Sequence, residues 1–298
     1  MNLTERYGRC TGEQARRCGL NWVLGPVCDV NNNPANPVIN VRAWGEDPNT
    51  ASALAVAFQR GLKQAGVLGC AKHFPGHGDT TSDSHLDLPV LPHSRERLEQ
   101  IELPPFQAAI TAGVESVMTA HLVLPDLDPQ QPATLSKAVL TDLLRRQMRF
   151  NGLVVTDALV MEAISARHGA AEAAVLAFEA GADLILMPAD ADAAIDGLCD
   201  GFSSGRLCLG RWEESLQRRA HALASIPTST ASGPIVSADE QALEAELVRH
   251  SITVGEAKVL PQAGINLVRV DAMVPSAAAL SGWSPALRTP EAVSYTNL

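Results

Sequence analysis

The sequence predicts a parallel α/β fold, and three observations carry that expectation. Five short apolar runs share one layout, a glycine, a β-rich segment and a polar residue near the far end: GLNWVLGPVCD (19–29), AGVLGCAKH (65–73), AGVESVMTAH (112–121), NGLVVTD (151–157) and AGADLILMP (180–188). Near-continuous apolar strands belong where both faces of a sheet are covered. Helical patterns lie between the runs, and glycines stand at the helix exits, which is the alternation of βαβ units.

The elements follow in order. After the first run, DPNTASALAVAFQRGLKQAG (47–66) places Pro48 in a first helical turn. Leu54, Phe58 and Leu62 recur at i, i+4, i+8, and Gly66 ends the helix. LSKAVLTDLLRRQMRFNG (135–152) offers Ser136 as a cap and Leu140, Leu143, Leu144 and Met148 as the buried stripe. HGAAEAAVLAFEAG (168–181) closes on Gly181. SIPTSTASGPIVSAD (225–239) has the Ser/Thr/Pro/Gly content of a linker. Beyond it lie a helix-like ALEAELVRHSI (242–252) and a strand-like INLVRVD (265–271). The expected organisation is a catalytic unit over 1–224, a linker over 225–239 and a partial α/β unit over 240–298.

Bulk properties exclude several classes. With 298 residues, 46% of them apolar, the chain affords a substantial core. Its net charge of −10 and 4% aromatic content argue against nucleic acid, which needs a basic surface and stacking platforms. The six cysteines (Cys10, Cys18, Cys28, Cys70, Cys199, Cys208) form no CxxC pair, as in a reducing compartment. No apolar run nears the roughly 18 residues of a membrane span. The start, MNLTERYGRCTGEQ, lacks a secretory layout. A cytoplasmic protein without a membrane partner is the expectation.

The strand ends point to chemistry. Asp29, Lys72 with His73, His121 and Asp157 stand at the carboxyl ends of four of the five runs. In a β/α barrel that face builds the active site from several strands. The loop after the second run, KHFPGHGDTTSDSH (72–85), holds Pro75, Gly76 and Gly78, which allow a sharp bend. Asp83 and His85, two apart, project to one side of extended backbone. A carboxylate beside an imidazole fixes its tautomer and raises its pKa from about 6.5 toward neutrality, where it both gives and takes a proton.

KHFPGHGDTTSDSHLDLP, with PVCDVNNNPANPVINVRAWGEDP, VMTAHLVLP, GLVVTDAL and ADLILMP in that order, resembles the β-N-acetylhexosaminidases of glycoside hydrolase family 3 over about residues 10–225. The β-glucosidase branch shares the Lys–His pair but not the G-H-G…D-S-H run. The resemblance implies a (β/α)8 TIM-type barrel, incomplete at its N-terminus, followed by the start of a second α/β domain. It also implies retaining hydrolysis of terminal β-linked N-acetylglucosamine through a covalent glycosyl–enzyme. On that reading Asp157 is the nucleophile, His85 the general acid/base and Asp83 its partner; Lys72, His73, Arg42 and Asp29 hold the sugar. No metal or organic cofactor is implied. Cell-wall sugar recycling is the setting the resemblance suggests.

Each residue also has a plainer reading. Asp157 can cap the next helix, and His73 can hydrogen-bond within the mouth. His121 reads as structural, while His77 and Asp79 shape the loop. Asp87, His93 and the Arg/Glu cluster at 95–99 read as a solvated helix face, and Glu162 faces away from Asp157. Other functions are a β-glucosidase or phosphorolytic relative and a catalytically impaired sugar-binding fragment. The last is a metal-dependent barrel hydrolase with ligands drawn from His73, His77, Asp79, Asp83, His85 and His121, against which stands the lack of an H-E-x-x-H helix.

Overall fold

The parallel runs assemble as a twisted sheet with helices packed outside it. In the computed structural model residues 2–82, 88–229 and 231–251 are described, and the chain divides into two compact units, Met1–Ser237 and Ala238–Leu298. Strands β1 (Cys70–Phe74), β2 (Ser116–Thr119) and β3 (Leu153–Val155) pair in parallel in the order β1-β2-β3. The first and fifth apolar runs extend the sheet on either side, through parallel bridges Trp22↔Leu68, Val27↔Lys72 and Val155↔Leu184. All five expected strands are therefore neighbours in one parallel array. The 21–28 run departs from a regular ladder at Pro26, which has no N–H to donate.

Helices α1 (Leu3–Arg17) and α2 (Pro48–Ala65) cross at glycine. A Cβ on Gly8 would lie 2.2 Å from the Phe58 carbonyl oxygen, and one on Gly61 2.2 Å from that of Glu5. The residues that α1 buries are Gly8 and Gly12 rather than a leucine stripe, so small residues set its contact with α2. Helix α2 starts at Pro48 and ends before Gly66, as expected; Gly66 takes φ +75° beyond the last turn, and Asp47 adds a cap by accepting the Asn49 and Thr50 N–H groups.

Helices α3 (Arg95–Gln100) and α4 (Leu103–Thr111) connect β1 to β2. The segment between β2 and β3 is a π-helix, Ala138–Gln147. It buries the expected Leu140, Leu143 and Leu144, and Ser136 Oγ accepts the Val139 N–H at 3.3 Å. The wider winding was not legible because a leucine stripe over ten residues suits either helix. Beneath this layer Phe74 and Phe106 meet edge to face at 5.3 Å within the main core.

Helices α5 (Glu162–Ser165), α6 (Ala170–Ala180), α7 (Ala191–Ser203) and α8 (Leu209–Ala224) complete the first unit's named helices. Asp183, at the amino end of the fifth run, has a fully buried carboxylate. It accepts the Val154 N–H at 2.9 Å and Ser215 Oγ at 2.7 Å, and pairs with Arg145, Arg211 and Arg218. This ties the π-helix and α8 to the base of the sheet. Nothing in the spacing of the sequence announced it.

The segment expected as a linker lies mostly with the first unit, where Arg17 donates to the Pro234 and Ile235 carbonyls at 2.9 and 2.8 Å. In the second unit α9 spans Ala238–Ser251. The strand-like INLVRVD lies outside the described residues. No described helix is long and apolar enough to cross a membrane.

The α1–α2 crossing yields a test. Alanine at position 61 would meet backbone atoms, Glu5 O at 2.2 Å and Arg9 N at 2.4 Å, which cannot rotate away. Gly61→Ala is expected to destabilise the protein by about 2 kcal/mol, although alanine in an open helix would gain about 1 kcal/mol. Urea denaturation measures the difference, and an unchanged or higher midpoint would contradict the close approach.

Candidate active site

The four titratable strand ends converge at the carboxyl edge of the sheet. Lys72 and His73 lie within β1, where the pairing with β2 shifts between Ala71 and Phe74. An extra residue of this kind bends a strand and re-aims its side chains. His121 and Asp157 each stand two residues past the named ends of β2 and β3.

Asp29 organises the first half of the site. It is fully buried, and its Oδ2 lies 2.8 Å from His73 Nδ1. It also accepts the backbone N–H of His77 at 2.7 Å and that of His73 at 3.2 Å. On the other side of the ring, Arg42 Nη2 approaches His73 Nε2 at 3.2 Å. A guanidinium only donates, so Nε2 is the acceptor and the proton sits on Nδ1, facing Asp29. His73 is thereby held neutral, in line with a pKa lowered by burial and by the cations Lys72 and Arg42 against the pull of Asp29. Burial alone would raise the pKa of Asp29, but His73, His77 and their N–H groups outweigh it and hold the carboxyl below its ordinary range. Asp29 was expected among the groups holding the sugar; enclosed as it is, it instead supports His73.

Asp157 faces this assembly. Burial would raise its pKa, yet His73, His121, the Ala158 N–H and Lys72 together lower it, so it is anionic at neutral pH. Its Oδ1 accepts the Ala158 N–H at 2.8 Å. Asp157 does not cap the next helix, which begins five residues later behind Met161. His121 is buried between Thr134 Oγ1, 2.8 Å away, and the Ala158 carbonyl, 3.0 Å away. Thr134 continues to Thr119 at 2.7 Å, and Thr119 Oγ1 accepts the Asp157 N–H at 3.4 Å. His121 thus braces the turn that presents Asp157. The Lys72 ammonium makes no side-chain hydrogen bond among the described residues, and burial, then Arg42, lower its pKa.

The stem of the loop after β1 is held by buried groups. Asn36 donates to the carbonyls of His77 and Thr80 at 2.8 and 3.2 Å, while its Oδ1 accepts the N–H groups of Val38 and Ile39. His77 Nδ1 lies 2.6 Å from Thr80 Oγ1. The Arg42 segment and the loop stem therefore share one buried amide. Asn36, Thr80, Thr119 and Thr134 carry no periodic signal, and reading the sequence missed them. Asp83 and His85, the expected acid/base pair, lie outside the described residues, as does Asp87. His93 is no part of a solvated face: its Nε2 donates to Asp79 at 2.8 Å. Of the zinc ligands considered, His73, His77, Asp79 and His121 are described, and among the described residues the one group of three with ligand atoms close enough to share an ion is Asp79, His93 and Glu102. Glu162 is exposed on α5.

Comparisons with known proteins find relatives over most of the chain. The family model described as the glycosyl hydrolase family 3 N terminal domain matches residues 1–222. The chain is 36% identical over 268 residues to Beta-hexosaminidase A of Pseudoalteromonas piscicida, covering 81% of this chain and 45% of that one. It superposes on a glycoside hydrolase family 3 beta-N-acetylglucosaminidase from Paenibacillus sp. str. FPU-7 with a TM-score of 0.82 at 40% identity, covering 86% of this chain and 51% of the other. It also matches Beta-glucoside phosphorylase BglX with a TM-score of 0.82 at 28% identity, covering 89% and 51%. The α/β fold is accordingly of the TIM-barrel type. The chain spans about half the length of the curated relatives it matches.

The buried imidazoles make stability fall in acid. His77 is lowered to about 4, chiefly by burial, whereas an exposed histidine titrates near 6.5. The unfolded chain takes this proton first, so the stabilisation present above pH 6.5 is lost as pH falls toward 4, amounting to about 3 kcal/mol for His77. Urea unfolding from pH 7 to 4 should show this slope, and His77→Gln should flatten it. Identical slopes in the two proteins would contradict the assignment.

Proposed function

The chain belongs to glycosyl hydrolase family 3, and on that basis we propose that it removes terminal β-linked N-acetylglucosamine with retention of configuration. The observation that carries the reading is Asp157, a half-buried anion at a strand end facing Lys72 and a neutral His73. In the first step its carboxylate attacks C1, the bond to the aglycone oxygen breaks, and His85 gives that oxygen a proton. In the second, His85 takes a proton from water, whose oxygen attacks C1 and frees Asp157. Asp83 orients His85. Lys72, Arg42 and His73 meet sugar hydroxyls, for which the Lys72 ammonium, without a side-chain hydrogen bond among the described residues, is suited. Retaining hydrolysis by these groups calls on no cofactor.

An imidazole replaces the second carboxyl usual in glycosidases. It is never anionic, so an acetamido group or an anionic acceptor meets no repulsion from it. This favours a second reading, phosphorolysis, in which phosphate takes the place of water; the match to a beta-glucoside phosphorylase supports it. Sugars released from the cell wall, handled in the cytoplasm, are the proposed setting, to which the six free cysteines lend support.

Release of nitrophenol from a nitrophenyl β-N-acetylglucosaminide tests the reading. Asp157→Ala should lower kcat by about a thousandfold or more, and the corresponding β-glucoside should be the poorer substrate. Equal rates for the two proteins would remove Asp157 as nucleophile. In phosphate buffer a sugar 1-phosphate in place of free sugar would select phosphorolysis.

A further inference from the structure

A second polar cluster stands beside the site on residues with no role in the mechanism above. His93 Nε2 donates to Asp79 Oδ2 at 2.8 Å, and Arg97 Nη2 lies 3.6 Å from the same oxygen. Arg97 Nη1 reaches both oxygens of Glu102, at 2.7 and 2.6 Å. The Glu102 side chain is buried against Gly76, at which an added Cβ would lie 2.8 Å from that of Glu102. Asp79, His93 and Glu102 present ligand atoms within 4.8 Å of one another, an arrangement that resembles a cation site. Arg97 already supplies the positive charge there, and the His93 nitrogen is engaged with Asp79.

The value of the cluster lies in what it joins. Asp79 sits between His77 and Thr80, whose backbones are fixed by Asp29 and Asn36. His93 follows Val90 and Leu91, which are paired to Val123. Each end is anchored to the frame, and the Asp79–His93 hydrogen bond spans 14 positions between them. Asp83 and His85 fall within that interval of sequence. Fixing the ends of a loop removes part of its conformational freedom, and a misplacement of about 1 Å in a catalytic group can cost about a hundredfold in rate.

We propose that Asp79 and His93 are positioning residues, a clasp at the neck of the loop that carries the acid/base pair, with Arg97 and Glu102 as its buttress. The inference rests on the function proposed above. Both clasp side chains are 23% exposed, so the pair itself adds little to global stability. A clasp of this kind acts on proton transfer and leaves Asp157, Lys72 and His73 untouched.

The test compares His93→Ala and His93→Gln with the unaltered chain. Glutamine places a donor nitrogen near the position of His93 Nε2. Because kcat/KM reports glycosylation, it is measured with a nitrophenyl glycoside, whose leaving group needs no proton, and with an alkyl glycoside, whose leaving group does. His93→Ala should lose about 10- to 100-fold with the alkyl glycoside and only a few-fold with the nitrophenyl one, and His93→Gln should recover most of the loss. Equal losses with both substrates would overturn the positioning role. Amide hydrogen exchange over residues 80–92 gives a readout apart from activity. It should accelerate in His93→Ala and not in His93→Gln, and unchanged exchange in both would overturn the clasp. If the unaltered chain cleaves neither glycoside, the proposed function fails while exchange still decides the clasp.

Discussion

The site depends on one buried carboxylate. Asp29 is removed from solvent, a placement that costs several kcal/mol unless its oxygens are hydrogen-bonded. Here they are met by the His73 ring and by the backbone N–H groups of His73 and His77. The same contacts set the tautomer of His73 and so present its Nε2 to Arg42 as an acceptor. They also fix the start of the loop that follows β1. One group thus determines a protonation state, a cation's position and a loop's origin, because the buried donors around it have no alternative acceptor in the apolar interior.

Asp157 and Asp183 illustrate how environment separates chemistry from support. Both are ionised residues that follow or precede apolar strand segments, at opposite ends of the sheet. Asp183 is saturated by three arginines, a serine and a backbone N–H, which leaves it nothing to offer a ligand. Asp157 accepts one backbone hydrogen bond among the described residues, and the groups around it hold its carboxyl below the ordinary range. An anion held in that way keeps electron density free for an electrophilic carbon. In a β/α barrel the amino ends of strands serve stability and the carboxyl ends serve reaction, and the two aspartates stand at those opposite ends.

The supports of the mouth are graded by burial. Asn36 and His77 are enclosed and rigidly partnered, and His121 braces the Asp157 turn from beneath. Asp79 and His93 lie nearer the surface.

Read alone, the sequence determined the five parallel runs, Pro48 in the first turn of α2, the helix stops Gly66 and Gly181, and the titratable residues at the strand ends. Those features are local: apolar period reports burial, and glycine or proline reports a turn within a few residues. The tertiary structure alone decided that Asp29 supports His73, that Asn36 joins two loops, that α1 packs through glycine and that His93 faces Asp79. Partners such as Asp29 and His73, 44 positions apart, or Arg42 and His73, 31 apart, meet because parallel strands return to one edge after each helix. Which polar group meets which across that edge depends on strand register and on the bulge in β1, and no periodicity along the chain records either.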